Sequence, residues 1–424
     1  MHLKQTVMKV GIYIPGLGEA SRDENVTKYA ARFTNELNYN DVERNSVYFL
    51  KLEKVVYNSE EPNGCAVVTI FKRSKDNEEA VYKFYEFAYS ELLTRKFKSR
   101  SIIMRAILLF GLILTKLPFI FISIFKSGVT FYYPPRFRMQ LFYSFFILSI
   151  IALAGALLIP SLIEVIVSAS TSNADVRNFL TGHPILNRLY QGIVPALEVV
   201  SKPIITLSVL YFAFAPDSRS TVTAIATEFV CINHYLKIGA RKQDILGNLD
   251  LLFEHIAETN KEKVFIDIHS YSFGSIVALD FIFPAGDEPT VATKQTLKGL
   301  ITIACPYDFV KMYFPGYFHN RSEALAGSLK WLNVYSSADA LACNFRRDVE
   351  PGESEYSIID KDKLKPFNLP PYYISTFNPY NPVHFFGLDA IKAHNFYWDK
   401  STSGNSCIRS ILTHMKLFEL LKCS

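Results

Sequence analysis

The stretch from Val264 to Phe283 constrains the fold of this chain more than any other. It opens with the apolar run "VFIDI", passes through the polar turn "HSYSFGS", and continues as the apolar run "IVALDFIF". The first run has the length of a buried strand, and the second is typical of a buried helix. A strand that enters a helix through one tight turn is the repeating unit of proteins with a parallel sheet. We therefore predict an α/β fold.

Segments on both sides of this unit continue the pattern. The N-terminal part contains an apolar run, a polar helix candidate and three β-rich runs, at 10–14, 24–38, 46–57, 65–71 and 81–89. The C-terminal part contains a periodic helix candidate, two strand candidates and an amphipathic terminal helix, at 241–258, 297–306, 331–337 and 405–422. Strands that alternate with helices predict a mostly parallel sheet.

Residues 95–218 have the composition of membrane sequence. Two apolar stretches, 106–125 and 141–163, are each long enough to cross a hydrocarbon core of about 30 Å as a helix. The first contains Lys116, so an amphipathic helix lying in the interface is its alternative interpretation. A third run, 203–216, reaches the required length only if it begins at Ile193. We predict three parts: residues 1–94 and 219–424 as the two halves of one α/β domain, and residues 95–218 as a membrane insertion.

The two halves share one sheet, so the chain must return to the side of the membrane that it left. Two crossings satisfy this condition. The insertion begins with the basic segment "RKFKSR" (95–100), and positive residues near membrane ends favour the cytoplasmic side. The sequence therefore predicts a multi-pass membrane protein, with the lipid bilayer as a partner and both halves of the α/β domain in the cytoplasm.

Charge and cysteine content narrow the function classes. A net charge of +5 over 424 residues is mild and does not indicate a nucleic-acid partner. The six cysteines form no CxxC pair, which argues against the common zinc sites and a disulfide framework and favours a reducing compartment. We predict no metal and no cofactor, and the N-terminus has no signal-peptide pattern.

Ser272 is the candidate nucleophile in the turn. Small residues, Ser270 and Gly274, flank it at a spacing of two, as a strained strand-to-helix turn requires. A serine hydroxyl attacks well only when a histidine removes its proton and a carboxylate holds that histidine. Asp339 follows the strand candidate "WLNVYSS", and His394 lies beyond it in "AHNFYW". His384, within the apolar run "PVHFF", is the alternative base.

An oxyanion requires backbone N–H donors close to the nucleophile. The helix that begins after Ser272 offers the N–H group of Phe273. The first strand candidate ends in "PGLG" (15–18), and the N–H group of Leu17 in this loop is the second candidate. An ordinary glycine turn is the alternative interpretation of that loop.

Taken together, these motifs resemble the α/β-hydrolase superfamily, in particular bacterial lipase- and esterase-like members. The similar segments are "IHSYSFGSIVALDFI", "ITIACP", "WLNVYSSADALA" and "AHNFYW". The resemblance covers about residues 8–20 and 240–400. The resemblance implies Ser272 as nucleophile, Asp339 as orienting acid and His394 as base. The chain departs from the family pattern where Ser270 replaces glycine, Tyr271 replaces histidine and Pro15 replaces histidine.

Two functions follow as hypotheses. The first is a membrane-anchored serine hydrolase, carboxylesterase- or lipase-like, that cleaves an acyl ester of a lipid or another apolar substrate through an acyl-enzyme. The second is a non-catalytic membrane adaptor or signalling protein on an α/β-hydrolase scaffold, because a fold does not determine a function. The ordered Ser272, Asp339 and His394 favour the first. The sequence does not predict an oligomeric state.

Overall fold

The structure is a computed structural model. It describes residues 8–17, 23–41, 46–58, 64–74, 77–99, 230–237, 240–260, 264–371 except six single positions, 393–395, 397–398 and 406–415, with isolated positions between 108 and 118. The described residues up to Leu93 and from Tyr235 onward belong to one compact unit, and those from Thr94 to His234 belong to a second. The first unit contains the sheet and is described below. The predicted division at residues 94 and 218 stays a prediction.

One sheet of nine strands organises the first unit, in the order β2-β3-β4-β1-β5-β6-β7-β9-β8. The strands are β1 (Met8–Ile14), β2 (Val47–Val55), β3 (Cys65–Ser74), β4 (Asn77–Glu86), β5 (Val264–Tyr271), β6 (Leu297–Ile303), β7 (Lys330–Val334), β8 (Gly352–Glu353) and β9 (Phe367–Leu369). The strands from β4 to β9 across the sheet pair in parallel, whereas β2, β3 and β8 pair antiparallel with their neighbours. The prediction of an α/β fold with a mostly parallel sheet is confirmed.

The described helices and one 3-10 turn connect and cover these strands. They are α1 (Glu24–Asn40), α2 (Ser90–Lys98), α3 (Ala240–Thr259), α4 (Phe273–Ile282), α5 (Val291–Thr296), α6 (Tyr307–Tyr313), the 3-10 turn Ala393–Asn395 and α7 (Cys407–His414). No helix was predicted at α2, α5 or α6; the last two have only six or seven residues, too few to establish a helical period.

Helix α1 shows how one face of the sheet is covered. Its buried residues recur every three or four positions and include Val26, Tyr29, Phe33 and Leu37. This spacing makes a single apolar stripe, which packs in the same core as sheet residues such as Phe84. Helix α4 is buried at every position, and its one charged residue, Asp280, is paired there with Arg321 at 2.6 Å.

The predicted membrane localisation is wrong. Among the residues that the structure describes, no helix is both long enough and apolar enough to cross a membrane. Helix α3 has 20 residues, but it contains Arg241, Lys242, Asp244, Asp250 and Glu254, whose charges would be costly in hydrocarbon. This finding also corrects the transmembrane and membrane descriptions. It corrects the cytoplasmic orientation as well, because that prediction depended on two crossings. The stretches 141–163 and 193–216, and 106–125 apart from isolated positions, lie outside the described residues.

Candidate functional site

The turn after β5 holds Ser272 in a strained backbone conformation. Strand β5 ends at Tyr271, helix α4 begins at Phe273, and Ser272 between them has φ 53° and ψ −128°. A non-glycine residue in such a region costs about 1–3 kcal/mol and persists only where its surroundings enforce it. Here the Ser272 N–H group donates to the Ile303 carbonyl at 2.8 Å, and the Ser272 carbonyl accepts from the Ser275 N–H group at 2.9 Å. The sharp reversal lifts the Ser272 side chain out of the strand.

Gly274 is required by the close approach of the first strand. A Cβ atom at this position would lie 2.4 Å from the Ile14 carbonyl oxygen and 2.5 Å from that of Pro15. Two residues before Ser272, Ser270 is fully buried, and its hydroxyl donates to the Ile301 carbonyl at 2.9 Å. The two small residues flanking Ser272 therefore allow β1 and β6 to pack closely against the turn.

The structure brings the three predicted side chains Ser272, His394 and Asp339 together in one hydrogen-bonded chain. Ser272 Oγ lies 2.7 Å from His394 Nε2, and His394 Nδ1 lies 2.8 Å from Asp339 Oδ2. An ionised carboxylate only accepts hydrogen bonds, so the network assigns the ring proton to Nδ1 and leaves Nε2 to accept from the serine hydroxyl. The three groups come from residues up to 122 positions apart in the chain. This arrangement has the geometry of a nucleophile, a base and an orienting acid.

Asp339 is held by three donors. Its side chain is fully buried, and besides the histidine it accepts from the Leu341 N–H group at 2.9 Å and from the Tyr397 hydroxyl at 3.1 Å. Tyr397 Oη also accepts from the Ser336 N–H group at 2.7 Å. Burial, and secondarily the Asp339 charge, raise the pKa of Tyr397 well above its ordinary value, so its proton stays in place as a donor. Tyr397 lies three residues after His394, but nothing in the local sequence pattern indicated its contact with Asp339.

Tyr271 positions the histidine segment. Its hydroxyl donates to the His394 carbonyl at 2.5 Å, and its ring stacks on the imidazole with centroids 5.4 Å apart. Tyr271 therefore contacts both the backbone and the ring of His394. Tyr271 was visible in the sequence as an unusual residue of the turn, but only the folded chain shows that its hydroxyl binds the His394 carbonyl.

The two predicted oxyanion donors lie beside Ser272. Phe273 is the first residue of α4, and the first N–H groups of a helix have no intrahelical acceptor. The loop after β1 passes next to the turn, because a Cβ atom at Gly16 would lie 3.1 Å from Ser272 Cβ. The next residue is Leu17, and within the described part of the chain its N–H group has no hydrogen-bond acceptor.

His384 lies outside the described residues. His269 is fully buried on β5, where burial lowers its pKa to about 3. In the described ranges no group of His, Cys, Asp and Glu side chains is arranged to hold a metal ion.

No family model, no curated protein and no solved structure matches this chain. The function must therefore be argued from the geometry of Ser272, His394 and Asp339 and from the elements that hold them.

Proposed function

We propose that this protein is a serine hydrolase that cleaves acyl esters, lipid esters included, through an acyl-enzyme on Ser272. The observation that carries the proposal is the continuous chain from Ser272 Oγ to His394 Nε2 at 2.7 Å and from His394 Nδ1 to Asp339 at 2.8 Å. A packed core histidine would need neither a strained serine on one side nor a buried carboxylate on the other.

The reaction would begin when His394 Nε2 takes the Ser272 proton while Oγ attacks the ester carbonyl carbon. The carbon–oxygen bond to the alcohol then breaks, and the imidazolium returns its proton to that leaving oxygen. Water, deprotonated by His394, attacks the acyl-enzyme in the second half and releases the carboxylic acid and free Ser272. Asp339 stabilises the imidazolium in both halves and keeps its proton.

The Leu17 and Phe273 N–H groups are the proposed donors to the negative oxygen of the tetrahedral intermediate. Each donor of this kind is worth about 2.7–4 kcal/mol of transition-state stabilisation in comparable sites. Close contact of the loop after β1 with the serine turn supports this role, because it brings the backbone that carries both donors next to Ser272.

We further infer that the fold is α/β-hydrolase-like. The proposed nucleophile follows β5 in the middle of the sheet, the proposed acid follows β7, and the base comes near the end of the chain. These positions agree with the residue roles implied by the family resemblance. The carboxyl ends of parallel strands lie at one sheet edge, where side chains from distant segments can meet.

Fluorophosphonate labelling of the full chain, followed by peptide mapping, tests the proposal. We expect the probe on Ser272, and Ser272→Ala should abolish labelling while the folded state persists. Ser270→Ala is the matched control, since it removes a neighbouring buried hydroxyl and keeps the small side chain that the turn requires. Absence of labelling in a folded sample, or labelling at Ser270, would refute the proposal and favour the non-catalytic adaptor.

A further inference from the structure

The outer edge of β2 is an open sheet edge in the described part of the chain. Strand β2 is the last strand on its side of the sheet, and its nine residues pair with β3 in one unbroken register. Open edges are normally shortened, interrupted by bulges or covered, because their free N–H and C=O groups invite pairing. Here Leu52, in the middle of the exposed half of the strand, is 54% exposed.

One end of this edge is already occupied by a side chain. Asn38, from α1, accepts from the Tyr48 N–H group at 2.8 Å and donates to the Tyr48 carbonyl at 2.9 Å. The amide of Asn38 thus occupies the position of a further strand at Tyr48, which means that the backbone groups of Tyr48 point away from β3. In an antiparallel pair the residues alternate in this respect, so Leu50, Leu52 and Lys54 also point their N–H and C=O groups outward. The open stretch is centred on Leu52.

The side chains specify the same centre independently. Suppose that a second copy of β2 pairs antiparallel with the first about a two-fold axis perpendicular to the sheet. Such an axis keeps every side chain on its original face of the sheet, and directly opposite residues share a face. One residue of β2 must therefore lie opposite its own copy, at the axis. An axis at Lys51 or at Glu53 would set that charge opposite its own copy, which is unfavourable. An axis at Leu50 would set neither Lys51 nor Glu53 opposite a charged residue. Only an axis at Leu52 sets Lys51 opposite Glu53 of the other copy, twice.

We infer that two copies of this chain associate through β2, antiparallel, with Leu52 on the two-fold axis. Leu52 then faces Leu52, and Leu50 faces Lys54 on either side of it, each pair exchanging the hydrogen bonds that the open edge leaves unmade. The charge pattern selects this register, the open backbone stretch is centred at the same residue, and neither observation depends on the proposed hydrolase activity.

Lys51 and Glu53 already have ion-pair partners within their own chain, but these pairs do not prevent the proposed contact between copies. Lys51 pairs with Glu78, and Glu53 pairs with Lys83 at 2.8 Å. The side chains of Lys51 and Glu53 are both more than half exposed, so these surface ion pairs contribute little to stability. Each of the two side chains can therefore also contact a charge on a second copy.

Charge reversal at positions 51 and 53 tests both the interface and its register. Lys51→Glu alone, or Glu53→Lys alone, sets like charges opposite each other at two symmetry-related places, and we expect the dimer dissociation constant to rise about 30-fold. The double variant Lys51→Glu/Glu53→Lys restores opposite charges in every pair and should dimerise as the wild type does. An equal mixture of the two single variants should form a heterodimer, although each alone associates weakly.

Sedimentation velocity of the full chain at low ionic strength is the measurement. Glu288→Lys is the matched control, because it reverses the charge of another exposed, ion-paired side chain, and it should leave self-association unchanged. A wild-type chain that stays monomeric up to its solubility limit would overturn the inference. So would single variants that dimerise normally, or a mixture that does not recover association.

Discussion

The buried histidine of β5 predicts a measurable acid sensitivity. His269 is fully buried, with Nδ1 2.9 Å from the Tyr29 hydroxyl oxygen and Nε2 3.1 Å from that of Tyr82, among the rings of Phe33 and Phe84. Burial disfavours the charged imidazolium and lowers the pKa of His269 from 6.5 to about 3. Because the folded pKa lies below the unfolded one, the unfolded chain binds the proton more tightly, and stability falls as the pH drops from about 6.5 towards 3.

The size of this effect follows from the two pKa values. At pH 4 the unfolded histidine is almost fully protonated and the folded one is still mostly neutral, so the linkage costs about 3 kcal/mol relative to pH 7. His269→Gln removes the titrating group and keeps a donor and an acceptor for the two tyrosine hydroxyls. We therefore expect its free energy of unfolding to fall by about 3 kcal/mol less than that of the wild type between pH 7 and pH 4.

Urea unfolding followed by tryptophan fluorescence at the two pH values measures the difference. Burial raises the pKa of Asp308 to about 6, which acts in the opposite sense, but this carboxyl is present in both proteins and cancels in the comparison. His319→Gln, at an exposed position, is the matched control and should follow the wild type. Equal pH dependence in wild type and His269→Gln would refute the reasoning.

Two further predictions concern the proposed active site. Asp339→Asn should lower ester turnover by about 10⁴-fold, because it favours the wrong histidine tautomer. His394→Ala should reduce turnover to near background, whereas His384→Gln should have a mild effect. An essential His384 together with a dispensable His394 would contradict the assignment of the base. Gly274→Ala should lower the free energy of unfolding by more than about 2 kcal/mol and abolish probe labelling, because the new Cβ meets two carbonyl oxygens of the first strand. Gly247→Ala is its control, because a Cβ at this exposed position of α3 meets no atom within 4 Å, and it should be neutral or stabilising. Similar thermal melts for the two variants would rule this explanation out.

Local pattern was enough to predict most of the elements near the site. The apolar run of β5, the small residues around Ser272 and the apolar residues of α4 each express a property of a few neighbouring residues. Alternating and periodic apolar positions likewise identified α1, α3 and the strands from β1 to β7. The chain order of Ser272, Asp339 and His394 suggested their meeting, because carboxyl ends of parallel strands share an edge.

The same local reasoning was wrong about the membrane. Length and apolarity of a stretch predict a crossing helix only from composition, and composition does not distinguish sequence that faces lipid from sequence that is buried in protein. The finding that no described helix is suited to cross a membrane corrects that prediction.

What the sequence determined by itself is therefore the set of local elements and the chemistry available in them: a strand, a strained turn with a serine, and a histidine and an aspartate after it. Tertiary structure alone decided which distant groups meet. It placed the Tyr397 hydroxyl on Asp339, the Tyr271 hydroxyl on the His394 carbonyl, and the Asn38 amide on the edge of β2. These contacts are not encoded in any local period, because a hydrogen bond between remote segments depends on strand order and register, which are settled by the packing of the whole core.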